Sequence, residues 1–287
     1  MATAPKVDKK VRFSWYRDDL ESKFGIRGAP FTRVKNFMWF IAAGMLTAAF
    51  YGALSGFPRS YVAQMFTQRG PFQYVEVFIA FWALLLVVVK WTKIRVQWQA
   101  VEFRELVPPE ADFVLSPATV GLVLDRLGSQ CDDPGRFILF RRIELALSNL
   151  KNMGQVGDLD DVLQSLAGND EDVMESSYSL VKGLIWAIPV LGFIGTVLGL
   201  SRAIGSFGGV LADAANIEKL KPALQQVTAG LSTAFDTTFV ALVAALGIQL
   251  LLVGVRKLEE ELMAECKSYC QQHLVGRLRL MPFDRVG

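Results

Sequence analysis

The sequence predicts an all-α integral membrane protein with four spans, a helical cytoplasmic domain and long helices that extend from the membrane into the cytoplasm. Three observations support this prediction. The 287 residues are 52% apolar and only 20% charged, whereas an average globular domain is about 25% charged. The apolar residues collect in runs close to the ~20 residues that cross a bilayer. Between those runs, apolar residues at helical spacing alternate with proline and glycine breaks.

The predicted organisation has five parts. They are a basic cytoplasmic N-terminal segment (1–36), a transmembrane hairpin (37–92), a cytoplasmic helical domain (93–182), a second transmembrane hairpin (183–256) and a cytoplasmic helical tail (257–287).

The first hairpin contains two predicted spans. Residues 37–57 carry no charge, and residues 71–89 carry only Glu76. Lys90 follows the second span, where a lysine can extend its ammonium group toward the membrane surface. We interpret Glu76 and the tryptophans of this region as interfacial anchors and core filling, without a role in conduction.

Helices dominate the predicted cytoplasmic domain. The apolar pattern predicts one helix near residues 120–127 and another over about 135–153, after an Asp-Asp-Pro cap. A short helix is predicted from Asp158 to Gly168, and a capping box at Asn169 then starts a helix that continues into the third span.

Charged side chains of this domain are candidates for docking a driven partner, although exposed helix charges are usually just solvated. The basic and acidic candidates are Arg141, Arg142 and Glu144. A nearby acidic patch is interpreted mainly as solvated helix surface, with docking of a soluble partner as the sharper alternative; it comprises Asp158, Asp160, Asp161, Asp170, Glu171, Asp172 and Glu175.

The second hairpin contains the other two predicted spans. Residues 183–201 are free of charge, and so are residues 237–255. No break follows the fourth span until about Leu274, so we expect its helix to project well beyond the membrane. Nine Lys and Arg residues precede the first span, against two in the loop after it, which predicts that both termini are cytoplasmic.

Small residues mark one face of the third span. Gly195 and Gly199 form a GxxxG pair, which lets another helix approach closely, and Gly192 lies in the same apolar run. Pro189 is expected to loosen the helical backbone, a change that membrane helices tolerate. Thr196 supplies a hydroxyl in this region, either to a pathway or to its own backbone.

Polar groups in the fourth span are candidates for ion conduction. A carboxylate within a span marks an ion path by default, so Asp236 is the leading ionic candidate, with an ion pair to Arg202 as the alternative. Thr196 and Thr238 lie nine and eight residues from the expected outer ends of their helices, or about 13 and 12 Å deep. The two hydroxyls therefore share one predicted level, although Thr237 remains an alternative to Thr238.

These two segments resemble the MotA/TolQ/ExbB proton-channel family. Residues 189–199 look like its Pro-x-x-Gly-x-x-Gly-Thr-Val-x-Gly helix, and residues 230–238 look like its Gly-x-x-x-Ala-x-x-x-Thr helix. The resemblance implies a channel-forming stator subunit in a bacterial inner membrane, arranged as a pentamer around a dimer of single-span ExbD/TolR/MotB-like partners. On that basis Thr196 and Thr238 would face the membrane aspartate of the partner, and H⁺ or Na⁺ would be carried without any cofactor.

The sequence also departs from that family in two ways. TolQ and ExbB relatives have three spans and a glutamate where this chain has Thr233, and Asp236 is a possible relocation of that acid. MotA shares the four-span layout, so the driven process stays open. A passive membrane scaffold is the alternative function, and it predicts that Thr196, Thr238 and Asp236 tolerate replacement.

Composition excludes other function classes. The net charge is +2 with a single histidine, which suggests no nucleic acid partner. The sequence contains no phosphate-binding loop, nucleophile elbow or paired-histidine metal motif, so we predict no enzyme activity. Cys266, Cys270 and His273 share a helical face but have no apparent fourth ligand, and we predict no metal site.

Overall fold

The computed structural model describes residues 12–25, 28–67, 70–103, 106–107, 113–116, 118–150, 156–212 and 220–279. The chain divides into two compact units. We call Asn36–Val88 together with Ser179–Val253 the span unit, because it holds most of the apolar runs. The remainder, within Met1–Lys35, Val89–Tyr178 and Gly254–Gly287, is called the polar unit.

The described residues form ten α-helices. They are α1 (Trp15–Asp18), α2 (Leu20–Lys23), α3 (Asn36–Ser55), α4 (Tyr61–Thr67), α5 (Pro71–Glu102), α6 (Val120–Gln130), α7 (Ile138–Ser148), α8 (Val156–Ser177), α9 (Ser179–Ala212) and α10 (Leu220–His273). Within the same residues, extended backbone pairs only at two isolated bridges, Phe13 with Cys131 and Leu115 with Leu278.

The predicted all-α, four-span fold is confirmed. Four helical stretches are long and apolar enough to cross a membrane, namely Asn36–Ser55, Pro71–Glu102, Asp158–Gly205 and Val227–Arg277. The chain is a multi-pass membrane protein. Helices α5 and α10 both continue beyond their apolar runs, and the sequence predicts this continuation for α10 only.

Aromatic rings join α3 to α5 in the span unit. Phe40 meets Phe78 and Trp82 edge to face, with ring centroids 5.1 and 5.0 Å apart. Ten residues further along α3, Phe50 packs edge to face on Phe66 of α4 and on Phe81 of α5. Because such pairs favour tilted geometry over stacked rings, they fix the register of this hairpin. Helix α4 itself is absent from the sequence prediction.

Residues 12–25 of the N-terminal segment are folded, which composition alone does not predict. Trp15 is fully buried, and its ring meets that of Phe137 at 5.5 Å. Asp132 accepts hydrogen bonds from the Ser14 hydroxyl and the Trp15 backbone N–H, at 2.6 and 3.1 Å. These long-range contacts hold α1 within the polar unit.

Two predicted helix boundaries in the polar unit are wrong. The helix expected over 135–153 begins at Ile138, after a 3₁₀ turn at Pro134–Arg136, and ends at Ser148. Residues 151–155 lie outside the described residues. The break expected at Gly168 is absent, because α8 continues to Ser177. The carboxylate of Asp170 next to the expected cap binds an arginine of α7 instead.

A buried ionic cluster, the Lys90 cluster, occupies the polar unit. Lys90 Nζ lies 3.1 Å from Glu259 Oε2 and donates to the Ser177 hydroxyl at 2.7 Å. Glu259 also accepts hydrogen bonds from the hydroxyls of Thr32 and Tyr178. Lys90 is only 2% exposed, so the prediction that it extends toward the membrane surface is wrong. The cluster gives its charge a closer partner than solvent.

A second buried lysine fastens the N-terminal segment. Lys93 Nζ lies 3.2 Å from Asp19 Oδ1 and 2.9 Å from Glu21 Oε2. Glu21 also accepts from the backbone N–H groups of Ala29 and Lys35. Burial alone raises the pKa of Glu21, but Lys93 and these N–H groups outweigh it, so the pKa lies below its ordinary value.

Candidate ion pathway

Two helices of the span unit, α9 and α10, position the predicted pathway residues. Of the described glycines on these two helices, Gly192 has the least room for a side chain, because an added Cβ would lie 2.5 Å from the Cβ of Ala241 and 3.3 Å from the Cα of Thr238. Real Cβ atoms do not come so near to one another. Glycine at 192 is therefore what permits the two backbones to meet at this level.

Glycines continue this contact along α9 toward residue 203. A Cβ at Gly195 would lie 3.3 Å from the Thr237 hydroxyl oxygen, and one at Gly199 would lie 3.5 Å from the Gly230 carbonyl oxygen. Gly230 of α10 is itself confined, since a Cβ there would lie 2.7 Å from the Cβ of Ala203. Small residues on both helices thus form one continuous seam.

The hydroxyls of Thr196 and Thr238 contact each other across this seam. Thr196 Oγ1 lies 3.0 Å from the carbonyl oxygens of both Gly192 and Ala234. Thr238 Oγ1 lies 3.1 Å from the Gly192 carbonyl oxygen. The two threonine side chains therefore lie at the same level of the α9–α10 pair and are in direct contact.

The two hydroxyls can be hydrogen-bonded in two directions, according to which of them donates its proton to the other. Each hydroxyl has one proton to donate and can accept another. In one pattern Thr196 donates to Thr238, which donates to the Gly192 carbonyl. In the other pattern Thr238 donates to Thr196, which donates to the Ala234 carbonyl. Rotation of the two hydroxyls reverses the direction of the chain without leaving either proton unbonded.

Thr237 makes a different contact from Thr238. Its hydroxyl donates to the Ala234 carbonyl of its own helix at 2.9 Å, and its side chain is 2% exposed. It fills the space beside Gly195. Of the two adjacent threonines, Thr238 is therefore the one that meets Thr196.

Asp236 lies on another face of α10. At 3.6 residues per turn it stands about 160° around the helix from Thr238, and its side chain is half-buried. The subunit thus brings together three of the four predicted pathway residues, the threonines, and directs the carboxylate elsewhere. The angular position of each residue around the helix, which follows from the sequence, distinguishes Thr238 from Asp236.

Pro189 lies inside α9, seven residues before Thr196. Proline has no N–H, so the carbonyl of Ile185 lacks its usual helical donor. This leaves an acceptor about three helical turns before Thr196, without ending the helix.

The predicted docking residues have three different environments. Arg142 is 2% exposed and its Nε lies 2.7 Å from Asp170 Oδ2. It is therefore not an exposed docking charge, and that prediction is wrong. Asp170, assigned to a solvated patch, is buried for the same reason. Arg141 Nη1 lies 3.3 Å from Asp170 Oδ1, while Glu144 is exposed.

The cysteines are buried in the polar unit. Cys131, Cys266 and Cys270 are free thiols, and burial raises the pKa of Cys131 to about 12. Among the described residues, no group of three histidine, cysteine or acidic side chains is placed to hold a metal ion.

Sequence reasoning misses the carbonyl acceptors of the pathway. The oxygens of Gly192 and Ala234 complete the bonding of both hydroxyls. A backbone acceptor has no residue signature, but the small residues at 192, 234 and 241 indicate where two backbones can approach.

Residues 136–268 match the MotA/TolQ/ExbB proton channel family. In the MotA/TolQ/ExbB match lie both threonines of the hydroxyl pair and all the glycines of the seam, whereas α3 and its partner stretch in α5 lie outside it. No curated protein and no solved structure matches the chain.

Proposed function

We propose that this protein is the channel-forming subunit of an ion-driven stator, which converts an ion-motive force into mechanical work. The contact between the hydroxyls of Thr196 and Thr238 is the observation that carries the proposal. A reversible hydrogen-bonded chain suits a proton, and the same oxygens suit a small cation that has lost part of its water shell. The match of residues 136–268 to a proton channel family supports the same conclusion.

The assembly we propose follows the family. Five copies enclose two single-span partners in a bacterial inner membrane, with both termini of this chain cytoplasmic. Large apolar side chains exposed along α9 and α10 support an assembly that covers them with lipid or with other chains. They include Phe193, Val197, Phe235, Phe239 and Leu246.

In this assembly the hydroxyl pair receives the ion from a membrane aspartate of the partner. The carboxyl of the partner donates a proton to one threonine hydroxyl, which passes its own proton to the second hydroxyl, and the second hydroxyl releases its proton to water on the far side of the pair. The transfer leaves the pair in the opposite bonding pattern, and rotation of both hydroxyls restores the first pattern. The seam around Gly192 keeps the two oxygens at fixed separation during this exchange.

Purification from the native membrane, followed by reconstitution into liposomes, tests the proposal. We expect a one-span protein with a membrane aspartate to co-purify. An imposed pH gradient should then drive proton flux, reported by an internal pH dye, and an imposed Na⁺ gradient distinguishes the two ions.

The decisive variant is Thr196→Val with Thr238→Val, which keeps side-chain volume but removes both hydroxyls. Flux should fall by at least about tenfold, the factor that 1.4 kcal/mol of barrier produces. Thr47→Val is the matched control, because the Thr47 hydroxyl bonds the Ala43 carbonyl of its own span. Equal flux in the double variant and the control would show that ions do not pass through the hydroxyl pair, and absence of flux in the unaltered protein would favour the passive scaffold.

A further inference from the structure

Two buried polar side chains of α5 have no partner in the structure. Gln73 is 0% exposed and Glu76 is 1% exposed. Both amide atoms of Gln73 and both carboxyl oxygens of Glu76 lack a hydrogen-bond partner. Native proteins contain only a few such atoms per hundred residues, and here four of them stand on two side chains one helical turn apart.

Burial within the subunit restricts what can satisfy these atoms. Both side chains are enclosed by the span unit itself, so neither lipid nor a neighbouring subunit reaches them without rearrangement. Glu76 is therefore not the interfacial anchor that the sequence suggests. Any partner must be small enough to lie inside the unit.

Nearby groups of the span unit do not supply the missing bonds. The Tyr51 hydroxyl of α3 lies 3.4 Å from the backbone oxygen of Gln73, to which it donates. The Tyr51 ring packs on that of Tyr74, with centroids 4.4 Å apart. Neither tyrosine carries a positive charge that could pair with a Glu76 carboxylate.

A carboxylate enclosed in this way is unfavourable by several kcal/mol. A neutral carboxyl loses that penalty and gains an O–H donor. A buried water with two to four polar partners satisfies the other atoms, and the amide of Gln73 offers both a donor and an acceptor to it.

We propose that Glu76 and Gln73 form a second proton-binding site, in which a protonated Glu76 carboxyl and the Gln73 amide share at least one internal water. The site lies outside the residues that match the family. It does not depend on conduction through Thr196 and Thr238, and its test does not measure flux.

Infrared difference spectroscopy on membranes that contain the full chain tests the site. We expect a protonated-carboxyl band that shifts when H₂O is replaced by D₂O, because the internal water exchanges the proton. Glu76→Gln should remove this band. Asp236→Asn is the matched control, since it removes another carboxyl of the span unit and should leave the band in place.

A second variant separates the water from the proton. Gln73→Leu retains the carboxyl but removes the amide, so the band should move and its exchange into D₂O should slow. Identical band position and exchange rate in Gln73→Leu would overturn the shared water. A spectrum unchanged by Glu76→Gln would overturn the proton site.

Discussion

Two buried polar clusters in this protein satisfy their polar groups in different ways. In the span unit, the hydroxyl pair of Thr196 and Thr238 is neutral and bonds to backbone oxygens. In the polar unit, Lys90 and Glu259 are charged and bond to each other. Neutral groups can exchange donor and acceptor roles at little cost, whereas an ion pair is held by the large penalty of separating it. The hydroxyl pair is therefore suited to proton transfer, and the ion pair is suited to holding its helices in place.

The largest expected loss of stability comes from a variant that breaks the Lys90 cluster. Glu259→Leu leaves the Lys90 ammonium buried without its carboxylate, and we expect a loss of about 3–5 kcal/mol in the free energy of unfolding. Denaturant unfolding of the purified protein measures it. The double variant Lys90→Met with Glu259→Leu should recover most of the loss, because no unpaired charge remains.

The exposed pair of α10 is the control for that experiment. Arg256 Nε lies 2.9 Å from Glu260 Oε1, but both side chains are largely exposed. Glu260→Gln should leave unfolding unchanged, since solvent screens such pairs. If Glu259→Leu also left the free energy of unfolding unchanged, the Lys90 cluster would not stabilise the polar unit.

An intermediate effect is expected at the seam of the span unit. Gly192→Ala places a methyl group 2.5 Å from Ala241 Cβ, and overpacking of this kind costs about 1–3 kcal/mol. Thermal unfolding in detergent measures the loss. Gly199→Ala is the matched control, because its methyl group would meet neighbours at 3.5 Å, an ordinary contact.

The seam also gives Gly192→Ala a functional consequence. Separation of α9 from α10 lengthens the contact between the two threonine hydroxyls, so ion flux should fall together with stability. A variant that loses stability but keeps full flux would show that conduction does not need the hydroxyl contact.

The smallest effect is a pH dependence in the polar unit. The folded pKa of Glu21 lies below its unfolded value, which is about 4.3. Its contribution to stability is therefore complete above that pH and disappears as the pH falls through the folded pKa. Glu21→Gln should flatten the acid side of the stability profile, and urea unfolding at a series of pH values measures this change.

Sequence periodicity predicts the parts of this protein that depend on nearby residues. The four spans follow from charge-free runs, and the common level of Thr196 and Thr238 follows from helical rise. The burial of charged residues is harder to predict, because Lys90 and Glu259 are 169 residues apart and each resembles an ordinary surface residue. The same holds for Arg142, whose burial depends on an aspartate in another helix.

Helix ends show a related limit. Gly168 and the polar residues after it have the composition of a break, yet α8 continues past them. Asp170 is used by α7 rather than as a cap, a choice that tertiary packing makes. Residues whose side chains serve distant elements cannot be assigned from local propensity.

One acceptor of the pathway is invisible to genetics. The Gly192 carbonyl oxygen lies within reach of both threonine hydroxyls, and every codon at position 192 encodes a residue that keeps this oxygen. Mutational scanning will therefore attribute its role to neighbouring side chains. Synthetic replacement of the following amide by an ester, which weakens that oxygen as an acceptor, is the direct way to assess what the main chain contributes to ion transfer.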